Sequence, residues 1–271
     1  MRSGCHALLF GLLSLLPLSA MGDVPTVAAA SDLQFALTEA AERFRQETGR
    51  ELRVNFGSSG NFRRQISQGA PFELYLSADE AYVLALHEEG RTEDEGVIYA
   101  VGRLAWLQRA GGDDLPTQDD PLAGVRQAIA THAAGQGRPR LALANPEHAP
   151  YGVAARQVLE RAGLWEASAP LRVMGENVSQ AAQFALSGDA RGGLVAYSLV
   201  LAPTLAERGD HVPIPESWHA PLVQRMVLID GAGETARAFY AWLQEAEARA
   251  LLAQYGFLLP GEAGMDTELH P

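Results

Sequence analysis

Four short stretches bring hydroxyl groups and free backbone amides to places where a predicted strand is followed by a predicted helix. They are Ser31-Asp32, residues 57–60 (Gly-Ser-Ser-Gly), residues 149–152 (Ala-Pro-Tyr-Gly) and residues 176–178 (Glu-Asn-Val). The first amides of a helix have no partner within the helix, and the helix dipole makes that end positive. Such a junction can hold an anion without lysine or arginine.

Each junction taken alone has an ordinary structural explanation. Ser31-Asp32 would cap a helix, and the Gly-Ser-Ser-Gly stretch would form a tight turn. If the two halves of the chain face each other, all four loops converge on one cleft, where a small tetrahedral anion would receive about five or more neutral hydrogen bonds. The set of four therefore predicts an anion site that no single junction predicts.

Other chemistries find less support in the residues. Cys5 is the only cysteine and the chain contains no lysine, which excludes a P-loop lysine and Schiff-base chemistry. A nucleophile at Ser58 or Ser59 would need a histidine base, for which His148 is the candidate, but the Gly-x-Ser-x-Gly motif is absent. Neither a metal-binding motif nor a cofactor motif is found, so no metal cation and no cofactor are predicted.

Alternating strand and helix patterns must position these junctions. Strands are predicted at residues 24–30, 51–56 and 71–77, each followed by a helix, and a second series of such units begins near residue 122. An apolar run at residues 97–107 is long enough to pass from one half of the chain to the other. The pattern predicts an α/β fold with mainly parallel sheets, helices on both faces, and ligands bound beyond the carboxyl ends of the strands.

The start of the chain and its overall charge narrow the class of protein. Residues 1–22 combine Arg2, an apolar run and then small residues, which is typical of a cleaved secretory signal peptide, so the rest of the chain is expected to be exported. A formal net charge of −12 argues against nucleic acid as a partner. A small anion is still allowed, because net charge is screened over about 8 Å at physiological salt.

Five segments, in order, carry a family resemblance over nearly the whole chain from about residue 24 to residue 260. They are residues 28–31 (Ala-Ala-Ala-Ser), 56–66 (Phe-Gly-Ser-Ser-Gly-Asn-Phe-Arg-Arg-Gln-Ile), 69–80 (Gly-Ala-Pro-Phe-Glu-Leu-Tyr-Leu-Ser-Ala-Asp-Glu), 145–152 (Asn-Pro-Glu-His-Ala-Pro-Tyr-Gly) and 255–257 (Tyr-Gly-Phe). Together they resemble the periplasmic molybdate-binding proteins of ABC importers.

The resemblance implies a two-lobed type II periplasmic binding protein fold with the ligand cleft between the lobes. Residues 23–98 and 222–271 are then predicted to form lobe 1, and residues 99–221 to form lobe 2. It further implies a monomeric periplasmic receptor, not an enzyme, that needs no cofactor. Such a receptor would bind molybdate or tungstate and deliver it to the membrane permease of an ABC importer.

Transferred position by position, the resemblance assigns ligand contacts to four residues, and two neighbours at the same junctions complete the predicted site. The six are Ser31, Asp32, Ser59, Tyr151, Asn177 and Val178. The carboxylate of Asp32 must point away from an oxyanion and is expected to cap its own helix. Either the phenol or the amide of Tyr151 would contact the ligand.

A fifth contact of the family is not matched, and two other functions stay open. The family's tyrosine after Gly-x-Val aligns with Ala196, and Tyr197 comes one residue late. One alternative function is a receptor for another small oxyanion, such as sulfate or phosphate. The other is a serine hydrolase that uses Ser59 and His148.

Overall fold

Two five-stranded sheets organise this chain, for which we describe residues 24–112 and 114–261 of a computed structural model. The predicted signal peptide at residues 1–22 lies outside the described residues. The first sheet contains β1 (Thr26–Ala30), β2 (Arg53–Gly57), β3 (Leu74–Ser77), β4 (Val97–Gly102) and β10 (Leu222–Leu228). The second contains β5 (Leu104–Arg109), β6 (Arg140–Ala144), β7 (Arg172–Gly175), β8 (Ala190–Ala196) and β9 (Gly209–Pro213).

Helices flank both sheets. Those of the first lobe are α1 (Gln34–Thr48), α2 (Ser59–Ser67), α3 (Glu80–Glu88), α10 (Glu234–Trp242) and α11 (Ala246–Gln254). Those of the second lobe are α4 (Ala123–Ala133), α5 (Pro150–Arg161), α6 (Trp165–Ser168), α7 (Val178–Ala185), α8 (Tyr197–Val200) and α9 (Pro203–Ala206). Short 3-10 turns cover Ser31–Leu33, Ala169–Leu171 and Glu216–Trp218. Within the described ranges, no helix is both long enough and apolar enough to span a membrane.

The sheets are mixed, whereas the sequence pattern predicted mainly parallel ones. The strand orders are β2-β1-β3-β10-β4 and β7-β6-β8-β5-β9. In the first sheet β1 is parallel to β2 and β3, while β10 is antiparallel to β3 and β4. In the second, β6 is parallel to β7 and β8, while β5 is antiparallel to β8 and β9. The antiparallel strands β4, β5, β9 and β10 flank the two crossings between lobes, which the β-α pattern alone did not reveal.

The chain crosses between the sheets at Arg103 and again between β9 and β10. The lobe boundary that the sequence predicted between residues 98 and 99 falls inside β4, which still belongs to the first sheet. The apolar run at residues 97–107 contains two strands in different sheets, separated by its one charged residue, Arg103. A charge in the run marks a break, but hydropathy does not show that the chain changes sheet there. The crossing itself therefore lies about one strand length later along the chain than the predicted boundary.

Local sequence explains how the first lobe presents its helices. In α1, buried Ala36, Leu37, Ala40 and Phe44 recur at helical spacing and pack on the sheet. Gly49 ends this helix in a left-handed conformation with φ 70°, which costs a glycine little because it has no Cβ. The helix is thereby fixed with its first turn at the carboxyl end of β1.

Candidate functional site

Four helical N-termini meet at one small cavity between the lobes. The first lobe contributes the turn that starts at Ser31 and the start of α2 at Ser59, and the second contributes the starts of α5 at Pro150 and of α7 at Val178. The cavity volume is about 10 Å³, close to the room that one water molecule needs. It is lined by Ala30, Ser31, Asp32, Gly57, Ser58, Ser59, Ala78, Ala149, Pro150, Tyr151 and Val178.

The lining favours an anion although it contains no arginine. First-turn amides without helical partners and the positive ends of helix dipoles point toward the same space. Small residues such as Gly57, Ala78 and Ala149 let the backbone approach closely. Among the described residues, no group of three or more histidine, cysteine, aspartate or glutamate side chains could hold a metal ion. Apart from Asp32, the lining therefore offers neutral hydrogen-bond donors.

The hydroxyls of Ser31 and Ser59 are held in a way that suits donation. Oγ of Ser59 accepts a hydrogen bond from the amide of Ala78 at 3.0 Å, and Oγ of Ser31 accepts one from the amide of Ser179 at 3.3 Å. Across the described part of the chain, neither hydroxyl donates to a protein acceptor. Because a backbone amide already occupies one lone pair of each oxygen, the hydroxyl hydrogen stays available for an anion.

Asp32 lines the cavity, but its carboxylate does not cap its own helix as the sequence suggested. Oδ2 accepts hydrogen bonds from the Tyr151 hydroxyl at 3.0 Å and from Nε2 of Gln224 at 2.6 Å. No side-chain capping bond is found at the start of the 3-10 turn or of α1. Burial raises the pKa of Asp32 to about 6, and the bonds from Gln224 and Tyr151 offset only part of this rise.

The Asp32 cluster reaches across three chain segments. Tyr99 on β4 donates to Oε1 of Gln224 at 2.6 Å, and the hydroxyl of Ser198 donates to the backbone oxygen of Asp32 at 2.8 Å. Sequence reasoning missed Tyr99, Ser198 and Gln224. Nothing local marks them, because they come from three other elements of the chain and meet only in the folded protein.

Of the two groups of Tyr151 that were predicted as possible ligand contacts, the phenol and the backbone amide, only the amide is available. Its hydroxyl donates to Asp32, and burial together with the Asp32 carboxylate raises its pKa well above the ordinary value for tyrosine. The phenol is thus a neutral donor that is engaged within the protein. Its backbone amide, in the first turn of α5 just after Pro150, is the group that can face the cavity.

At the junction before α7, Asn177 and Val178 have different roles. Oδ1 of Asn177 accepts from the amide of Gln180 at 3.0 Å, so its side chain caps α7, and Asn177 does not line the cavity. Val178 does line it and opens the helix. Of the six predicted residues, five surround the cavity, and Asn177 stays outside as a cap.

His148 contacts Ser58, not the Ser59 that the hydrolase alternative paired it with. Its Nδ1 lies 2.9 Å from Oγ of Ser58, and the Ser58 hydroxyl donates to the backbone oxygen of His148. Since the hydroxyl hydrogen is already committed, Nδ1 must donate to Oγ and cannot act as its base. Nε2 lies 3.6 Å from a carboxylate oxygen of Glu176. The geometry is that of a contact between lobes rather than of an activated nucleophile.

Tyr197 takes no part in the cavity. Its amide donates to the backbone oxygen of Arg103 at 2.8 Å, and the Arg103 guanidinium lies 4.7 Å from the centre of its ring. The ring also meets that of His211 edge to face at 5.7 Å. Tyr197 therefore supports the crossing at Arg103 and lies outside the cavity lining.

Two mixed α/β lobes, joined by two crossings and meeting at a cavity built from helix N-termini, define a solute-binding protein of the type II periplasmic class. The chain belongs to the bacterial extracellular solute-binding protein family, whose model matches residues 25–258.

Individual relatives narrow the comparison. The molybdate-binding protein ModA of Rhodobacter capsulatus is 34% identical over 261 residues, which cover 95% of this chain and 96% of the relative. The solved structure of the periplasmic molybdate-binding protein of Azotobacter vinelandii has a TM-score of 0.76 and 30% identity, covering 87% of this chain and 99% of that one. The sulfate-binding protein SubI of Mycobacterium tuberculosis (TM-score 0.69, coverage 89% and 88%), at 15% identity, shares the fold alone.

Proposed function

We propose that this protein captures molybdate or tungstate in the cavity between its lobes and delivers it to the membrane permease of an ABC importer. The convergence of four helix N-termini, with two serine hydroxyls free to donate and no cation in the lining, carries the proposal. Relatives that cover nearly the whole chain and are named for molybdate binding support this choice of anion.

Selectivity among oxyanions would follow from the spacing of neutral donors. Hydrogen bonds weaken once donor and acceptor leave the range of about 2.7 to 3.2 Å. Donors fixed at the spacing of a larger tetrahedral oxyanion make poorer bonds to sulfate. Because the donors are backbone amides and short serine side chains at helix starts, their positions are set by rigid elements rather than by long flexible side chains.

Binding would be coupled to closure of the lobes. The cavity as described has little more room than one water molecule, so an anion enters only when the lobes part. Full engagement then needs donors from both sides, Ser31 and Ser59 from the first lobe and the amides of Tyr151 and Val178 from the second. A ligand that bonds both lobes shifts the population toward the closed form, and only that form would dock on the permease.

A thermal-unfolding panel tests the proposed ligand. A ligand present at 100 times its dissociation constant stabilises the folded state by about 2.7 kcal/mol, which raises Tm by roughly 5 to 11 °C in a protein of this size. We expect such a rise with molybdate and tungstate and little change with sulfate or phosphate. A rise with sulfate or phosphate alone would instead identify a receptor for that anion.

Replacing Ser59 by alanine should weaken molybdate binding by about 1.5 to 3 kcal/mol, the usual worth of a hydrogen bond to a charged group. The variant loses the hydroxyl donor and also leaves the Ala78 amide without its acceptor. Isothermal calorimetry of both proteins measures the loss. Ser67→Ala, at the other end of α2, is the matched control, because that hydroxyl bonds to Glu89 on the surface. Unchanged molybdate affinity in Ser59→Ala would remove Ser59 from the site.

A further inference from the structure

Asp32 lines the cavity, and only one of its two carboxyl oxygens accepts side-chain hydrogen bonds. The residue is 1% exposed, and Oδ2 accepts from Tyr151 and Gln224. Oδ1 is buried and has no partner of full hydrogen-bond geometry within residues 24–112 and 114–261, although the backbone amides of Asp32 and Leu33 lie close enough to the carboxyl to lower its pKa in part. A buried carboxylate oxygen without a donor is costly, whereas a protonated oxygen bears no charge to be desolvated.

No positive charge compensates this carboxyl. Among the described residues, no arginine or histidine makes an ion pair with Asp32. The titratable groups facing its cluster are the phenols of Tyr151, Tyr99 and Tyr75, whose pKa values burial raises, so all three stay neutral. His148 and Glu176 adjoin the cavity by way of Ser58 and Val178. The side chains that donate hydrogen bonds to the Asp32 carboxyl, Tyr151 and Gln224, are therefore both uncharged.

A doubly charged anion bound in this space would lie beside a second negative charge, shielded from water. Like charges in a site of low dielectric disfavour the ionised carboxyl. We propose that binding of a tetrahedral dianion is coupled to uptake of one proton by the Asp32 carboxyl, so that Asp32 sets the pH dependence and the charge preference of the site. This inference rests on the proposed function and adds that one proton is taken up when the anion binds.

The coupling makes affinity depend on pH in a defined window. Burial already raises the pKa of Asp32 to about 6 without a ligand, and a bound dianion raises it further. Below pH 6 the proton is already present, and binding is independent of pH. Between that pH and the higher pKa of the complex, affinity for molybdate falls about tenfold per pH unit, as linkage of one proton requires. Perrhenate, a tetrahedral anion with one charge, should show a weaker pH dependence.

Calorimetry with molybdate at pH 7.5, in two buffers of different ionisation enthalpy, counts the protons directly. We expect about one proton taken up per anion by the unmodified protein, and nearly none by Asp32→Asn, which is neutral at every pH. His148→Gln is the comparison variant, because His148 carries an ionisable ring and adjoins the cavity by way of Ser58. It should retain the uptake. Thermal unfolding of each variant without ligand shows that it is folded.

The possible calorimetry results distinguish a failure of the proton coupling from a failure of the proposed function. Tight molybdate binding without proton uptake overturns the role of Asp32 and leaves the proposed function standing. Uptake that persists in Asp32→Asn and disappears in His148→Gln overturns that role as well, because the proton would then belong to His148. If the unmodified protein binds neither molybdate nor tungstate, the proposed function itself fails, and the proton coupling fails with it.

Discussion

Replacing Gly60 by alanine is expected to weaken molybdate binding by about 2 to 4 kcal/mol, roughly 30- to 800-fold, while the protein stays folded. Gly60 lies in the first turn of α2 and meets the second lobe at His148. Its amide donates to the His148 oxygen at 2.9 Å, and a Cβ at this position would lie 2.7 Å from that oxygen and 3.0 Å from the His148 Cα. The added methyl group therefore pushes backbone against backbone in the closed form.

The open form does not suffer from the clash with His148, because that contact joins different lobes. The remaining neighbour, the Tyr82 hydroxyl at 3.1 Å, is the end of a side chain of the same lobe and can shift. Alanine also favours a helix by about 1 kcal/mol over glycine, so the ligand-free variant should unfold no more easily than the unmodified protein. Loss of affinity without loss of stability is the expected signature of a lobe-closure defect. Calorimetry with molybdate and thermal unfolding without it measure the two quantities.

Gly188→Ala is the matched control for Gly60→Ala. A Cβ at Gly188 meets nothing within 4 Å, and this glycine has no positive φ. It should bind molybdate as the unmodified protein does. If Gly60→Ala also binds with unchanged affinity, the contact between α2 and His148 does not belong to the ligand-bound form, and the closure described above is incorrect.

Replacing Asp32 by asparagine is expected to raise the free energy of unfolding by up to about 3 kcal/mol at pH 8 and to have little effect below pH 4. The pKa of Asp32 rises from 3.8 to about 6 in the folded protein, so the folded state holds the proton more tightly than the unfolded state does. The stabilising contribution of the protonated carboxyl is complete below pH 4 and is lost as the pH rises through 6. Asparagine is neutral throughout and avoids this loss.

Denaturant unfolding of both proteins at pH 4 and pH 8 measures the difference, and circular dichroism confirms that each starts folded. Asp119→Asn is the control, because Asp119 is exposed and its side chain makes no hydrogen bond to the described residues; it should change stability by less than about 0.5 kcal/mol. A variant Asp32→Asn that is less stable than the unmodified protein at pH 8 would show that the buried carboxylate is favourable as an ion. The proposed protonation of the Asp32 carboxyl on anion binding would then have no energetic basis.

The predictable part of the site is local. Ser31, Ser59 and Val178 each lie at a strand-to-helix junction, where a few neighbouring residues decide both the break in the chain and the direction of its amides. The predicted α/β class is confirmed for the same reason, since hydrophobic periodicity and turn residues act over short distances. The two-lobed fold, which the family resemblance implied, is confirmed as well. Asn177 also lies at such a junction, but its side chain caps α7 and does not line the cavity.

The part that sequence reasoning missed depends on distant pairs. Gln224 on β10 meets Asp32, Tyr99 on β4 meets Gln224, and His148 meets Ser58 across 90 positions of the chain. Arg103 is the one charged residue in an apolar run, and its charge alone did not show that the buried strands on either side join different sheets. Nothing in the local sequence shows which distant segment each of these residues meets.

By itself, the sequence determined that strands end in hydroxyl-bearing helix starts, and that no lysine and no cysteine beyond Cys5 is available for other chemistry. Tertiary structure alone decided that the starts from both lobes face one cavity, and that the carboxyl of Asp32 turns to Tyr151 and Gln224 instead of capping its own helix. The reason is physical: capping and turn formation are settled within a few residues, whereas the burial of a charge depends on every segment that packs around it.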